Sequence, residues 1–403
     1  MINRTLVRGN LCRGLVRYNS TVSSVEASKA TSDNASNSGQ SSSSRPQLLS
    51  ILPKKRVLNK ILFDNDVRLS FSKSVPILQQ IYDKLDTPDQ IRLPKYVKSY
   101  DLMKFKSVLT AIRTTTNSID RNLVALENEL VEQAAELGDN DAIAILAFET
   151  VERKVLGENV SQEDYNYATE LIKNLTELKQ PLVFKLAGDL AFKQKYYEQA
   201  TQYWLEFVEL EPDTIMASQV YANLGQYYFT FITPRPDLHL AKKYFEKSIA
   251  VGELDKYTIQ SHYYLGQLYA TTDPQVSKYH WEISAGRGLK ESFASLGFLE
   301  MNVFQNYEKA IEWFKLGVEA ANDVSCSIGQ FDAYMLLQDY KSSFDILTKL
   351  DAITSQIEKL HNNPTKLESM PEEMANAMKV NESLLNVFYT TRKKDIQALP
   401  SLL

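Results

Sequence analysis

From Ile51 onward, apolar residues recur at steps of three and four, the spacing that gives a helix one buried stripe. Leu58, Ile61, Leu62, Leu69, Ile77, Leu78, Ile81 and Leu85 mark the first such stretch, and Pro53, Pro76, Pro88 and Pro94 predict breaks within it. Asp101–Arg113 and Asp120–Leu137 predict two further amphipathic helices. Asp120 suits the N-cap of the second, and Gly138 suits its C′ position. No run alternates apolar and polar residues between turn signals, so no sheet is expected. The chain reads as all-α.

Superimposed on this periodicity is a repeat. A glycine in the first helix of a hairpin is followed by a small residue and, four positions later, by a large aromatic. Phe184, Gly188, Ala200, Trp204 and Pro212 stand at offsets of 4, 16, 20 and 28 from Phe184, the tetratricopeptide spacing for a unit of about 34 residues. A second unit carries Tyr221, Leu224, Gly225, Tyr228, Ala241 and Phe245, lengthened by four residues at Thr233-Pro234-Arg235-Pro236. A third has Leu265, Gly266, Tyr269, Ser277 and Trp281, and a fourth Phe293, Leu296, Gly297, Ala310 and Phe314. A weaker fifth has Gly329, Ser343 and Leu347. The glycines are 37, 41, 31 and 32 apart, a loose period. Small residues let two helices approach, and the aromatic is expected to plug the gap between neighbouring hairpins.

The expected architecture is a right-handed solenoid of helical hairpins. Residues 51–178 form a helical N-terminal region with degenerate repeats, 181–350 the array, and 351–403 C-terminal helices. Met374–Arg392, entered through Pro371 and carrying Met374, Met378, Leu385 and Phe388, is the expected cap. Ala134-Ala135-x-x-Gly138-x-x-x-Ala142 and Ser284-Ala285-x-x-Gly288 resemble the SEL-type relatives of the tetratricopeptide repeat, so 101–178 is expected to hold one or two more hairpins.

The first fifty residues have a different character. Arg4, Arg8, Arg13 and Arg17 sit among apolar and hydroxyl residues, with no acid before Glu26. That composition predicts a mitochondrial presequence over residues 1–18. Residues 19–50 read as a disordered Ser-rich linker, because Thr31–Ser44 is too polar to bury itself. Removing 1–18 takes the formal charge from −5 to −9. An acidic chain lacks the cation excess of a general nucleic-acid binder.

Chemistry is hard to find. The two cysteines, Cys12 and Cys326, build neither a disulfide framework nor a Cys-rich zinc site, and the four histidines lack metal-ligand spacing. No nucleophile elbow, P-loop or zinc-protease motif occurs. Cys326 is expected as a buried small hydrophobe, and His262 and His280 as structural histidines. Leu137-Gly138-Asp139-Asn140-Asp141 fits a helix end followed by an N-cap better than a calcium loop. No apolar stretch is long enough to span a bilayer. The expectation is a protein with no enzymatic activity, cofactor or metal.

Binding is another matter. First-helix positions lining the concave face would be Lys185, Asp189, Phe192, Gln226, Phe229, Tyr263, Gln267, Phe298 and Met301. Amides and rings suit an extended peptide held by its backbone and packed through apolar side chains, and the cation cluster that grips a terminal carboxylate is absent. Lys54, Lys55, Arg56 and Lys60 form the densest basic cluster, beside Ile51, Leu52, Val57, Leu58, Ile61 and Leu62. The segment reads either as a solvated basic turn or as a helper that lies on anionic headgroups, while docking to a partner through the array is the expected main attachment.

Pro53-Lys54-Lys55-Arg56-x-Leu58-Asn59-Lys60-Ile61-Leu62-Phe63, Ala134 to Ile143, Leu296-Gly297-Phe298-Leu299-Glu300 and Asn306 to Lys315 together resemble a fungal mitochondrial family. Its members are required to export the C-terminal tail of cytochrome c oxidase subunit 2 across the inner membrane. The resemblance runs from about Ile51 to Ile396 in order; the Ser-rich leader and a polar stretch near His361–Pro371 depart from it. It implies a peripheral inner-membrane protein on the matrix side, partnered by that tail and by an Oxa-type insertase with its export factors. It offers no catalytic residue to carry over, and the acidic net charge leads us to expect no nucleic-acid partner. The alternative is a pentatricopeptide-like RNA-binding translational activator, which would need a basic groove.

Overall fold

The computed structural model describes residues 45–116, 120–232, 234–362 and 370–403. The expected presequence, the linker up to residue 44 and most of the polar stretch near His361–Pro371 lie outside the described residues. Those described form helices and no strand. The chain divides into two compact units, Met1–Leu210 and Glu211–Leu403.

In the first unit, α1 (Leu48–Ile51), α2 (Lys55–Asp64) and α3 (Phe71–Asp83) precede three hairpins. These pair α4 (Ser99–Thr116) with α5 (Arg121–Glu136), α6 (Asn140–Val155) with α7 (Gln162–Glu177), and α8 (Pro181–Lys193) with α9 (Tyr197–Leu210). Both α5 and α8 pack on α6, so the hairpins stack. One apolar core runs through them, from Leu58 and Phe105 to Leu130, Leu171 and Val183. The cap signals act as read: Asp120 accepts from the Asn122 and Leu123 N–H groups at 2.8 and 3.2 Å. Gly138 takes φ +84° just past α5, and Asp139 accepts from Asp141 and Ala142 to start α6.

Two expectations fail here. The described chain is already packed at Arg45, ahead of the expected start at Ile51. Leu48 is fully buried, Arg45 donates to the Tyr82 carbonyl at 3.0 Å and pairs with Asp86 at 2.7 Å, and the Tyr82 hydroxyl donates to the Pro46 carbonyl at 2.8 Å. These partners lie more than thirty residues away, so no local pattern shows them. Pro76 does not break its helix but sits inside α3. It forfeits one backbone bond, while Ile77, Leu78, Ile81 and Tyr82 on the same helix are buried and hold it in place.

The second unit opens with α10 (Ile215–Gln226), which continues into a π-helical turn at Tyr227–Phe231. The Ile232 N–H bonds back to Tyr227 at 3.1 Å, and the wider turn leads into the lengthened loop. Then come α11 (Leu238–Val251), α12 (Lys256–Tyr269), α13 (Pro274–Gly286), α14 (Glu291–Asn302), α15 (Tyr307–Ala321), α16 (Val324–Leu336) and α17 (Tyr340–His361). They pair α10/α11, α12/α13, α14/α15 and α16/α17, and first helices also meet: α10 with α12, α14 with α16. The expected cap is α18 (Glu372–Thr391), resting on α16 and α17 and followed by α19 (Lys393–Leu402). Met378, Leu385 and Phe388 are buried there, whereas Met374 faces solvent. Arg392 closes the end with a two-toothed grip on Asp332, at 2.8 and 2.9 Å.

The repeat marks meet in space. Gly188 lies against Trp204, Gly225 against Phe245, Gly266 against Trp281 and Gly297 against Phe314, and a Cβ at any of these glycines would overlap the ring. Each such pair belongs to one hairpin. The aromatic therefore seals its own hairpin first, rather than plugging the gap to the next as expected. In the second unit some rings do both: Phe314 also covers Gly329 of α16, and Phe245 stacks on Tyr264 of α12 at 5.1 Å. In the fifth repeat Gly329 thus uses the preceding ring, not its expected partner Leu347.

Candidate functional site

Of the nine groove candidates, three belong to the first unit. Lys185, Asp189 and Phe192 lie one turn apart along α8 and are committed to one another and to the hairpin. Lys185 pairs with Asp189 at 2.6 Å, Trp204 donates its indole N–H to the other Asp189 oxygen at 3.0 Å, and Phe192 packs on Trp204 at 5.3 Å. Asp189 therefore orients the sealing tryptophan, and a ligand would have to compete with that bond.

The second unit brings together most of the others. Gln226 shares a crevice with Asn223 of α10 and with Tyr257, Gln260 and Tyr264 of α12. At about 10 Å³ the crevice holds no more than one water, so any ligand lies along this surface rather than in a pocket. Phe229, on the π turn, meets Tyr264 at 5.1 Å. The Tyr263 hydroxyl is shared between Gln267 on its own helix and Ser295 of α14, and burial raises it above the usual phenol range. Phe298 stands edge-on to Phe314 at 5.0 Å. From α10 to α14 half-buried amides and rings thus follow one another on successive first helices, with the Tyr263–Ser295 contact linking α12 to α14. Met301 is not among them. Only 7% exposed, it packs with Ile311, Phe314 and Cys326 in the core.

The basic cluster is split from its expected apolar companions. Lys54, Lys55, Arg56 and Lys60 are exposed, and Lys55 lies 5.3 Å over the Phe71 ring. Leu52, Leu58 and Leu62 are buried in the core of the first unit, with Ile51 and Ile61 packed against them. They cannot lie on headgroups as expected. No helix among the described residues is long and apolar enough to cross a membrane.

The residues singled out for possible chemistry are structural. Cys326 is fully buried, and desolvation pushes its thiol up to about 12. His262 and His280 are both buried, with Nδ1 atoms 2.8 Å apart. Desolvation and the neighbouring ring lower His262 to about 4. Their contact joins α12 to α13; residues eighteen apart with no spacing motif between them give no sequence signal for it. Glu300, also buried, is held by Lys278 at 2.7 Å and Lys309 at 3.4 Å. No cluster of three or more candidate metal ligands occurs among the described residues.

The family described as the MSS2 N-terminal domain matches residues 44–139. Protein MSS2, mitochondrial, from Saccharomyces cerevisiae is 34% identical over 355 residues, 87% of this chain and 93% of that protein. Among solved structures, a Sel1 repeat protein from Oxalobacter formigenes covers 61% of this chain and 99% of its own, with TM-score 0.41 and 16% identity. The Escherichia coli antigen c5321, with an SLR fold, covers 72% of this chain and 71% of its own, with TM-score 0.33 and 13% identity. Identity at that level over nearly the full length of the yeast protein, with the N-terminal domain matched over residues 44–139, makes this chain a member of the MSS2 family.

Proposed function

We propose that the chain is a non-catalytic mitochondrial factor that holds the C-terminal tail of cytochrome c oxidase subunit 2 during its export. It works on the matrix side of the inner membrane, attached peripherally, in company with an Oxa-type insertase and its export factors. Kinship over 93% of a yeast protein named as mitochondrial supports the compartment. One structural observation supports the mode of action: the line of Gln226, Phe229, Tyr263, Gln267 and Phe298 across consecutive first helices of the second unit.

The physics favours a peptide. An extended chain offers an N–H and a C=O at nearly every residue. A glutamine amide both donates and accepts, so it can satisfy either without regard to side chain. Neighbouring rings supply apolar contact and lose little rotamer freedom. Such a surface would hold a mobile tail loosely and release it into a membrane pore.

Fluorescence anisotropy with a labelled synthetic tail peptide tests this. Changing Gln226 and Gln267 together to Ala should weaken binding about tenfold, or roughly 1.4 kcal/mol, without moving the thermal melt. Equal binding of a scrambled peptide, or no effect of the double change, would contradict the reading.

A further inference from the structure

Formal charge is divided unevenly along this chain. Residues 45–118 carry fourteen Lys or Arg against six Asp and no Glu, a net of +8, whereas residues 119–403 sum to −16. An electropositive module thus fronts a strongly acidic remainder, and the whole-chain figure of −5 conceals it. On α2 the geometry sharpens this. Leu58 and Leu62 fill one side of the helix and are buried. Arg56, Lys60 and Phe63, at i, i+4 and i+7, fall on the opposite side. Phe63 is 82% exposed, Val57 at the start of the same helix 47%, and Leu49 on α1 61%. Lys54, Lys55, Arg56 and Lys60 have no carboxylate partner among the described residues.

We propose that this outward face of α2 is a docking surface for an anionic phospholipid bilayer, with Arg56 and Lys60 set among the headgroups and the Phe63 ring passing just below them. It deepens the membrane-side part of the function proposed above and makes no use of the peptide surface, so the two can fail separately. Charge complementarity commits the occupant: unpaired cations are attracted to anionic headgroups, each improving binding about fivefold near the surface. A bare phenyl ring gains only where water is displaced, which an acyl boundary provides. A single-stranded nucleic acid would instead want a row of rings for successive bases, and this face offers one.

Cosedimentation of the full chain with vesicles tests the proposal. The protein should bind an equal mixture of phosphatidylcholine and phosphatidylglycerol, bind phosphatidylcholine alone poorly, and be released by salt. Arg56→Glu with Lys60→Glu should lower binding at least about tenfold. Phe63→Ala should lower it severalfold with the salt dependence unchanged. All three side chains are exposed, so the thermal melt should stay where it is in both variants. Lys341→Glu, at an exposed site in the second unit, should leave binding intact. Equal binding to both vesicle types, or undiminished binding by the α2 variants, overturns the proposal. So does an equal loss in Lys341→Glu, which would mean diffuse charge, or binding of a polyuridine strand with none to vesicles, which would assign the surface to nucleic acid.

Discussion

Trp204 shows how much one side chain carries in this fold. Its ring covers Gly188, touches Phe192 and hangs from Asp189 by the indole N–H, and the residue is 1% exposed. Glycine is required opposite it because any Cβ would occupy the ring's space. Trp204→Ala should destabilise by about 3–5 kcal/mol, the usual effect of deleting a buried large aromatic. Gly188→Ala attacks the same contact by overfilling and should cost about 1–3 kcal/mol. Because both act on one contact, the double variant should fall short of their sum. Denaturant titration of the three variants reads all of this, and strict additivity would show that ring and glycine do not depend on each other.

Elements in this chain announce themselves through their ends. Asp139, Asp255, Asp273, Asp323 and Asp339 each accept N–H groups of the helix that follows, so helix starts are legible residue by residue. Helix ends are less so. Lys179, Lys195 and Gln338 take positive φ of 53°, 66° and 59° where a glycine would have advertised the turn. What the sequence hides is non-local: Arg45 reaching Tyr82 and Asp86, Arg392 gripping Asp332, and the π turn at Tyr227–Phe231. The groove was half legible for the same reason. Helical register puts Gln226, Tyr263 and Gln267 on a face, but it could not reveal that Trp204 occupies Asp189 or that Met301 turns into the core.

The His262–His280 contact between α12 and α13 was likewise invisible, and it has a pH consequence. With both rings neutral, one Nδ1 donates to the other across 2.8 Å; two protonated rings would repel. The folded pKa of His262 is lowered to about 4, so below its ordinary value the unfolded chain binds the extra proton. This contribution is complete above about pH 6.5 and is lost as pH falls toward 4, with a drop on the order of 3 kcal/mol. Denaturation midpoints measured across that window should fall, and less steeply in His262→Asn. Identical slopes in the two proteins would remove the pair from the explanation.

At the scale of the whole chain, kinship and charge pull in the same direction. The family match covers both units, while the cations gather in residues 45–118 and the amide-and-ring line lies in the second unit. The two proposed roles, membrane docking and peptide holding, would thus fall to different parts of one molecule. The most direct measurement is site-specific photocrosslinking in mitochondria synthesising cytochrome c oxidase subunit 2. A photoreactive residue replacing Gln267, on the proposed peptide surface, should capture the C-terminal tail of subunit 2, and one replacing the exposed Lys315 on α15 should not. Capture from Lys315 with none from Gln267, or capture of RNA in place of the tail, would contradict the proposed role.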